Sequence, residues 1–188
     1  MVNLVSAWRF LSTAAMMLGW MHVVVVLVAG RDCATVLVPA TRLALQLSFL
    51  EFFNAVAGVT KSKPQFVLLF AVVRYGVEAW LAPLLSCDAW AHLLTVACWS
   101  CGDVVRFGCF VWESKTSKWI RYTVGPILFP LGASGEVWMV LTAAREGRPI
   151  LYGAALLWPA GFYPLMKQLL RQRRKFISAN KGKTIKAV

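Results

Sequence analysis

The sequence predicts an all-α integral membrane protein, a six-transmembrane-helix bundle with both termini on the same side of the bilayer. Three observations carry that prediction. Of 188 residues, 59% are hydrophobic and only 15% are charged, with a mean hydropathy of +0.64. An ordinary globular domain is roughly 45–50% apolar and roughly 25% charged. One domain of this length cannot hide such an excess from water, and the same excess excludes intrinsic disorder. Second, the apolar residues form six continuous runs, each near the roughly 20 residues a spanning helix needs; strands of a membrane β-barrel would alternate instead. Third, the basic residues behind the net charge of +12 lie mostly between the runs and in the C-terminal tail. That is the pattern of membrane topology and anionic-lipid contact, so no nucleic-acid partner is expected.

The first run covers residues 4–29 and contains VVVVLVA. It is too long for a signal-peptide core and no small-residue cleavage site follows it. The second covers 35–59, the third 64–85 and the fourth 89–111. The fifth covers 119–143 and the sixth 149–170. Pro64 and Pro149 stand at helix starts, where a missing N–H is harmless. The chain therefore divides into a six-span membrane domain, residues 1–170, and a basic tail, residues 171–188. The terminus side carries Lys61 and Lys63, then Lys115, Lys118 and Arg121, then the tail. The other side carries Arg31, Arg145 and Arg148, and its middle loop near Cys87 and Asp88 has no basic residue. The asymmetry places the termini in the cytosol, or in the matrix for a mitochondrial membrane. In the tail, Arg171, Arg173, Arg174 and Lys175 are the expected contacts for anionic lipid such as cardiolipin.

Ionisable groups inside spans are expensive and face the bundle interior. They are Arg42, Glu51, Arg74, Glu78, Asp103, Arg106 and Glu136. Arg74 and Glu78 are spaced i,i+4 and Asp103 and Arg106 i,i+3, which puts opposite charges on one helix face. A buried charge network of Glu51, Arg74, Glu78, Asp103 and Arg106 is expected, either as packing glue or as a site with tuned carboxylates. In the fifth span, Gly125, Pro126, Pro130, Gly132 and Gly135 predict a broken helix just before Glu136, with small residues that let a helix or acyl chain approach. The five cysteines, odd in number and irregular in spacing, are read as buried free thiols. Cys98 and Cys101 lack a second ligand pair, so no metal is expected. His22 and His92 are read as packing or capping residues. No cofactor-binding motif is present.

Several short pieces resemble a known family: Gln46 with Leu50 and Glu51; Gly58, Val59 and Ser62; Arg74; Trp99 and Ser100 with Asp103 and Arg106; Arg121, Tyr122 and Thr123; Pro130, Gly132 and Glu136; and GFYPLM before QRRK. In order and spacing they resemble the 3-hydroxyacyl-CoA dehydratases of very-long-chain fatty acid elongation, also called protein-tyrosine-phosphatase-like (PTPLA) proteins. The resemblance implies a six-helix membrane bundle and removal of water from a 3-hydroxyacyl-CoA. A Tyr and a Glu of the fifth span would form the catalytic pair. The Glu corresponds to Glu136, the Tyr to Phe129, which has no proton to give or take. The family's His after Leu-Glu corresponds to Asn54, a further Glu to Asp103, and two Tyr residues to Phe107 and Phe110. One proton-transfer group is typically worth 10²–10⁴-fold in rate.

The resulting expectation is a non-catalytic relative. It would be an accessory subunit of a larger membrane complex, respiratory or ATP synthase, in the mitochondrial inner membrane, with other membrane subunits as partners. The alternative is a working dehydratase in the endoplasmic reticulum membrane, using acyl-CoA as substrate, Glu136 as acid and Tyr122 as the nearest phenol on its stripe.

Overall fold

The computed structural model describes residues 3–60, 62–85 and 89–185; Lys61, Cys87, Asp88 and Lys186 lie outside them. Those residues form helices and short connections. Helix α1 is Leu4–Val28, capped by the Asn3 side chain, and α2 is Val38–Val56, preceded by a π-helical turn at Cys33–Leu37. Helix α3 is Pro64–Gly76 and continues through a second π-helical turn at Val77–Leu81. Helices α4, Trp90–Val111, α5, Lys115–Arg145, and α6, Ile150–Ile185, complete the chain. Gly30 and Gly58 take left-handed φ of 58° and 70° just past α1 and α2, the conformation that stops a helix and that glycine adopts without strain.

Among the described residues, five segments are long and apolar enough to span a membrane: Leu4–Val28, Cys33–Val56, Pro64–Leu81, Trp90–Val111 and Lys115–Arg145. The sixth, α6, carries its apolar residues at its start and then continues as helix through the basic residues. Residue 170 is thus no helix end.

Helix α4 packs between α1 and α5, α2 between α1 and α3, and α6 against α5; the turn after α3 touches α5. Contacts at the two ends give the direction of each helix. At one end, Trp8 of early α1 meets Asn54 of late α2, and Tyr122 of early α5 meets Phe176 of late α6. At the other, Cys33 and Glu78 meet His92 at the start of α4. The chain runs up and down, and both terminal helices end on the first side.

Lipid supplies no hydrophobic force between helices, so close packing and polar contacts hold them together. Trp20 is completely buried and its indole donates to Ser48 at 3.0 Å, joining α1 to α2. A Cβ on Gly135 would lie 2.3 Å from the Thr95 hydroxyl oxygen and 2.9 Å from the Ala91 carbonyl. Gly132 and Gly135 therefore let α5 lie directly against α4. The outer faces are apolar, with Val25, Phe53, Trp80, Ile127 and Leu156 exposed.

Two expectations are corrected. Helix α5 is continuous, with Pro126 and Pro130 inside it. Each proline removes one intrahelical N–H, and packing against α4 and α6 keeps the helix formed where an isolated one would break. Second, Cys33 is disulfide-bonded, whereas Cys98, Cys101 and Cys109 are free.

Candidate functional site

Four helices direct charge into the bundle. Asp103 of α4 is 3% exposed and holds Arg74 of α3 at 2.5 Å. Its other oxygen lies 3.1 Å from Arg106, one turn on, and Arg106 reaches Glu51 of α2 at 2.9 Å. The Arg106 Nε contact is ionic without hydrogen-bond alignment. The Arg74 guanidinium also lies over the Trp99 ring, 5.3 Å from its centroid, and Arg106 over Phe107 at 4.4 Å. Alternating charge across α2, α4 and α3 lets each buried ion keep an opposite neighbour.

Glu78 does not join this chain. The π-helical turn begins at Val77, and its wider winding shifts the register of an i,i+4 pair. Glu78 instead meets His92 Nε2 at 3.1 Å, with both side chains almost wholly buried. His92 was not picked out as a functional residue in the sequence because its partners come from two other segments. His22 is exposed on α1.

Glu136 of α5 is 9% exposed and accepts a 2.7 Å hydrogen bond from the Trp99 indole. Arg74 and the Trp158 indole of α6 also act on this carboxylate. Because α5 is unbroken, indoles of α4 and α6, and no backbone N–H freed by a break, face this carboxylate. Phe129, two turns before Glu136, stacks on Phe162 of α6 at 5.0 Å and 8° and meets Phe70 of α3 edge-on at 6.3 Å. Position 129 is therefore an aromatic wedge joining three helices.

Four other positions singled out by the sequence are also engaged in packing. Asn54 is 2% exposed, accepts from the Trp8 indole at 2.8 Å and donates to Ser12 at 2.9 Å. Phe107 is buried, while Phe110 is partly exposed beneath Arg121. Tyr122 lies against Phe176, ring centroids 5.1 Å apart. In a continuous α5 it sits about 21 Å along the axis from Glu136, beyond reach of proton transfer. Arg171, Arg173, Arg174 and Lys175 are exposed on α6. Among the described residues, no three His, Cys, Asp or Glu side chains converge as metal ligands.

Residues 46–179 match the family model described as protein tyrosine phosphatase-like protein, PTPLA. A curated relative from the fission yeast Schizosaccharomyces pombe, named probable very-long-chain (3R)-3-hydroxyacyl-CoA dehydratase, is 24% identical over 145 residues, covering 69% of each chain. No solved structure matches.

Proposed function

This chain belongs to the protein tyrosine phosphatase-like, PTPLA, family, and from that membership we propose that it keeps a dehydratase body without dehydratase chemistry. Its role would be that of an accessory subunit in a larger membrane complex. Dehydration requires that the carbon beside the thioester lose a proton while the departing hydroxyl gains one. The observation that carries the reading is the environment of Glu136: its hydrogen bond comes from an indole, and the position two turns away is a phenylalanine wedged between two aromatic rings. Neither an indole N–H nor a phenyl ring takes part in proton transfer of this kind. The acid is retained as a packing element between α4, α5 and α6.

The location best supported is the endoplasmic reticulum membrane, in keeping with the family resemblance; nothing in the described residues favours the mitochondrial inner membrane. The Cys33 disulfide lies at the end opposite the termini. Disulfides persist in oxidising compartments, so it agrees with basic termini in the cytosol.

The test is turnover of 3-hydroxyacyl-CoA by the purified full chain. No dehydration is expected, and none from Phe129→Tyr, since Asn54, Phe107 and Phe110 also lack the family's proton-transfer groups. Glu136→Gln should lower stability rather than activity. Robust turnover by the unmodified chain, abolished by Glu136→Gln, would overturn the proposal. It would establish the second reading, a working dehydratase, which the fission yeast relative supports. Proteins that copurify in gentle detergent separate the two further: elongation reductases and condensing enzymes favour the second.

A further inference from the structure

At the terminus side, early α5 and late α6 border two adjoining shallow, open clefts. One, of about 300 Å³, is lined by Lys115, Thr116, Trp119 and Phe176. The second, of about 90 Å³, is lined by Trp119, Tyr122, Thr123, Arg173, Phe176 and Ile177. The sequence builds both walls. Lys115, Trp119, Tyr122 and Thr123 are spaced i, i+4, i+7 and i+8 on α5, and Arg173, Phe176 and Ile177 i, i+3 and i+4 on α6, so each set shares a face. The Tyr122–Phe176 ring contact joins the two walls at the second cleft.

The depth of the clefts follows from helix geometry. Arg173 lies 23 residues from Ile150, or about 35 Å along α6, against a hydrocarbon core of about 30 Å. The clefts therefore open at headgroup level, where Trp and Tyr rings prefer to sit. The other cations of early α5 are already engaged: Lys118 with Glu113 at 2.7 Å, and Arg121 over the Phe110 and Tyr122 rings. Lys115 and Arg173, which line the clefts, have no acidic partner among the described residues.

We propose that these clefts bind the phosphate headgroup of an anionic bilayer lipid. Lys115 and Arg173 supply the charge, Thr116 and Thr123 the hydroxyl donors, and Trp119 the dividing wall, while the acyl chains run down the apolar outer faces of α5 and α6. The site lies about 20–32 Å from Glu136 along α5 and does not depend on whether that carboxylate performs chemistry. Only Arg173 belongs to the tail cluster that charge alone would nominate.

Native mass spectrometry of the full chain in detergent, titrated with phosphatidic acid or phosphatidylcholine, tests the proposal. One tightly held phosphatidic acid per chain is expected, with phosphatidylcholine retained far more weakly. The pair Lys115→Gln, Arg173→Gln should weaken phosphatidic acid by about 30-fold, the value of two charge contacts at a membrane surface. Lys115→Arg with Arg173→Lys should keep most of the affinity. Arg171→Gln with Arg174→Gln removes the same charge beside the clefts and should change affinity less than about threefold, since diffuse surface charge is weak and screened. Equal losses in the two glutamine pairs, or equal retention of both lipids, would overturn the proposal. Displacement of the lipid by inorganic phosphate or by coenzyme A would overturn it as well, assigning the clefts to a soluble anion.

Discussion

Asp103→Asn removes one negative charge from a site where it faces two guanidinium groups. Asp103 is 3% exposed, while the Arg74 and Arg106 side chains are 19% and 31% exposed. Breaking a buried ion pair from one side costs about 3–5 kcal/mol, because the partner charge is left uncompensated. Partial exposure lets both arginines regain some hydration, and Glu51 still neutralises Arg106, so the lower end, about 3 kcal/mol, applies. By the scaling of soluble domains of this length, that lowers Tm by about 6–12 °C. The assay is thermal unfolding of the full chain in one detergent, with Arg74→Gln and the double variant alongside. The double variant removes the orphaned charge as well as its partner, so it should lose less than the sum of the singles by about 1–2 kcal/mol. Glu113→Gln, which breaks the exposed pair with Lys118, should produce no measurable shift. An Asp103→Asn protein as stable as its parent, or strict additivity in the double variant, would refute the view that the buried chain of charges holds α2, α3 and α4 together.

Gly135→Ala should destabilise the α4–α5 contact by about 1–3 kcal/mol, seen as a lowered Tm. Adding Thr95→Ala should recover only part, because the Ala91 carbonyl remains 2.9 Å from the new Cβ. Asn54→Ala should cost about 1 kcal/mol in the same assay, since it removes the acceptor of the half-exposed Trp8 indole and one of the two partners of the Ser12 hydroxyl. The Asp32 carboxylate, which caps the turn at Cys33–Leu37, is held below the ordinary aspartate value of 3.8 by hydrogen bonds from the Thr35 hydroxyl and N–H. Its stabilising effect is complete above that value and is lost as pH falls through the lower folded value. Tm should therefore fall along an acid limb below about pH 4, and Asp32→Asn should flatten that limb.

Helix number, order and approximate extent were legible because lipid imposes a length and a composition on each span. The pairing of Asp103 with Arg106 was legible because it is local. Arg74 with Asp103, Glu51 with Arg106 and Glu78 with His92 join different helices, and no spacing rule reports such a distance. Glu78 was assigned the wrong partner because a π-helical turn, invisible in the local pattern, rotates it away from Arg74. The break expected in α5 followed from proline's local preference, which neighbouring helices override. The roles of Trp8, Trp99 and Trp158 were hidden for a related reason: tryptophans in apolar runs look like lipid-facing bulk, yet these three indoles interact with buried polar groups.

The disulfide at Cys33 sets an order of events in the protein's manufacture. Cys33 opens the second span, so in the proposed orientation its sulfur would reach an oxidising compartment once the first span has crossed the bilayer. The other cysteines all follow Cys33 in the sequence, so closure within the chain must wait for a further stretch to arrive. Molecules inserted the other way would keep the Cys33 thiol in a reducing space and would not acquire the bond. In that orientation, oxidation at Cys33 would serve as a covalent record of correct insertion, readable by a mobility shift on a non-reducing gel.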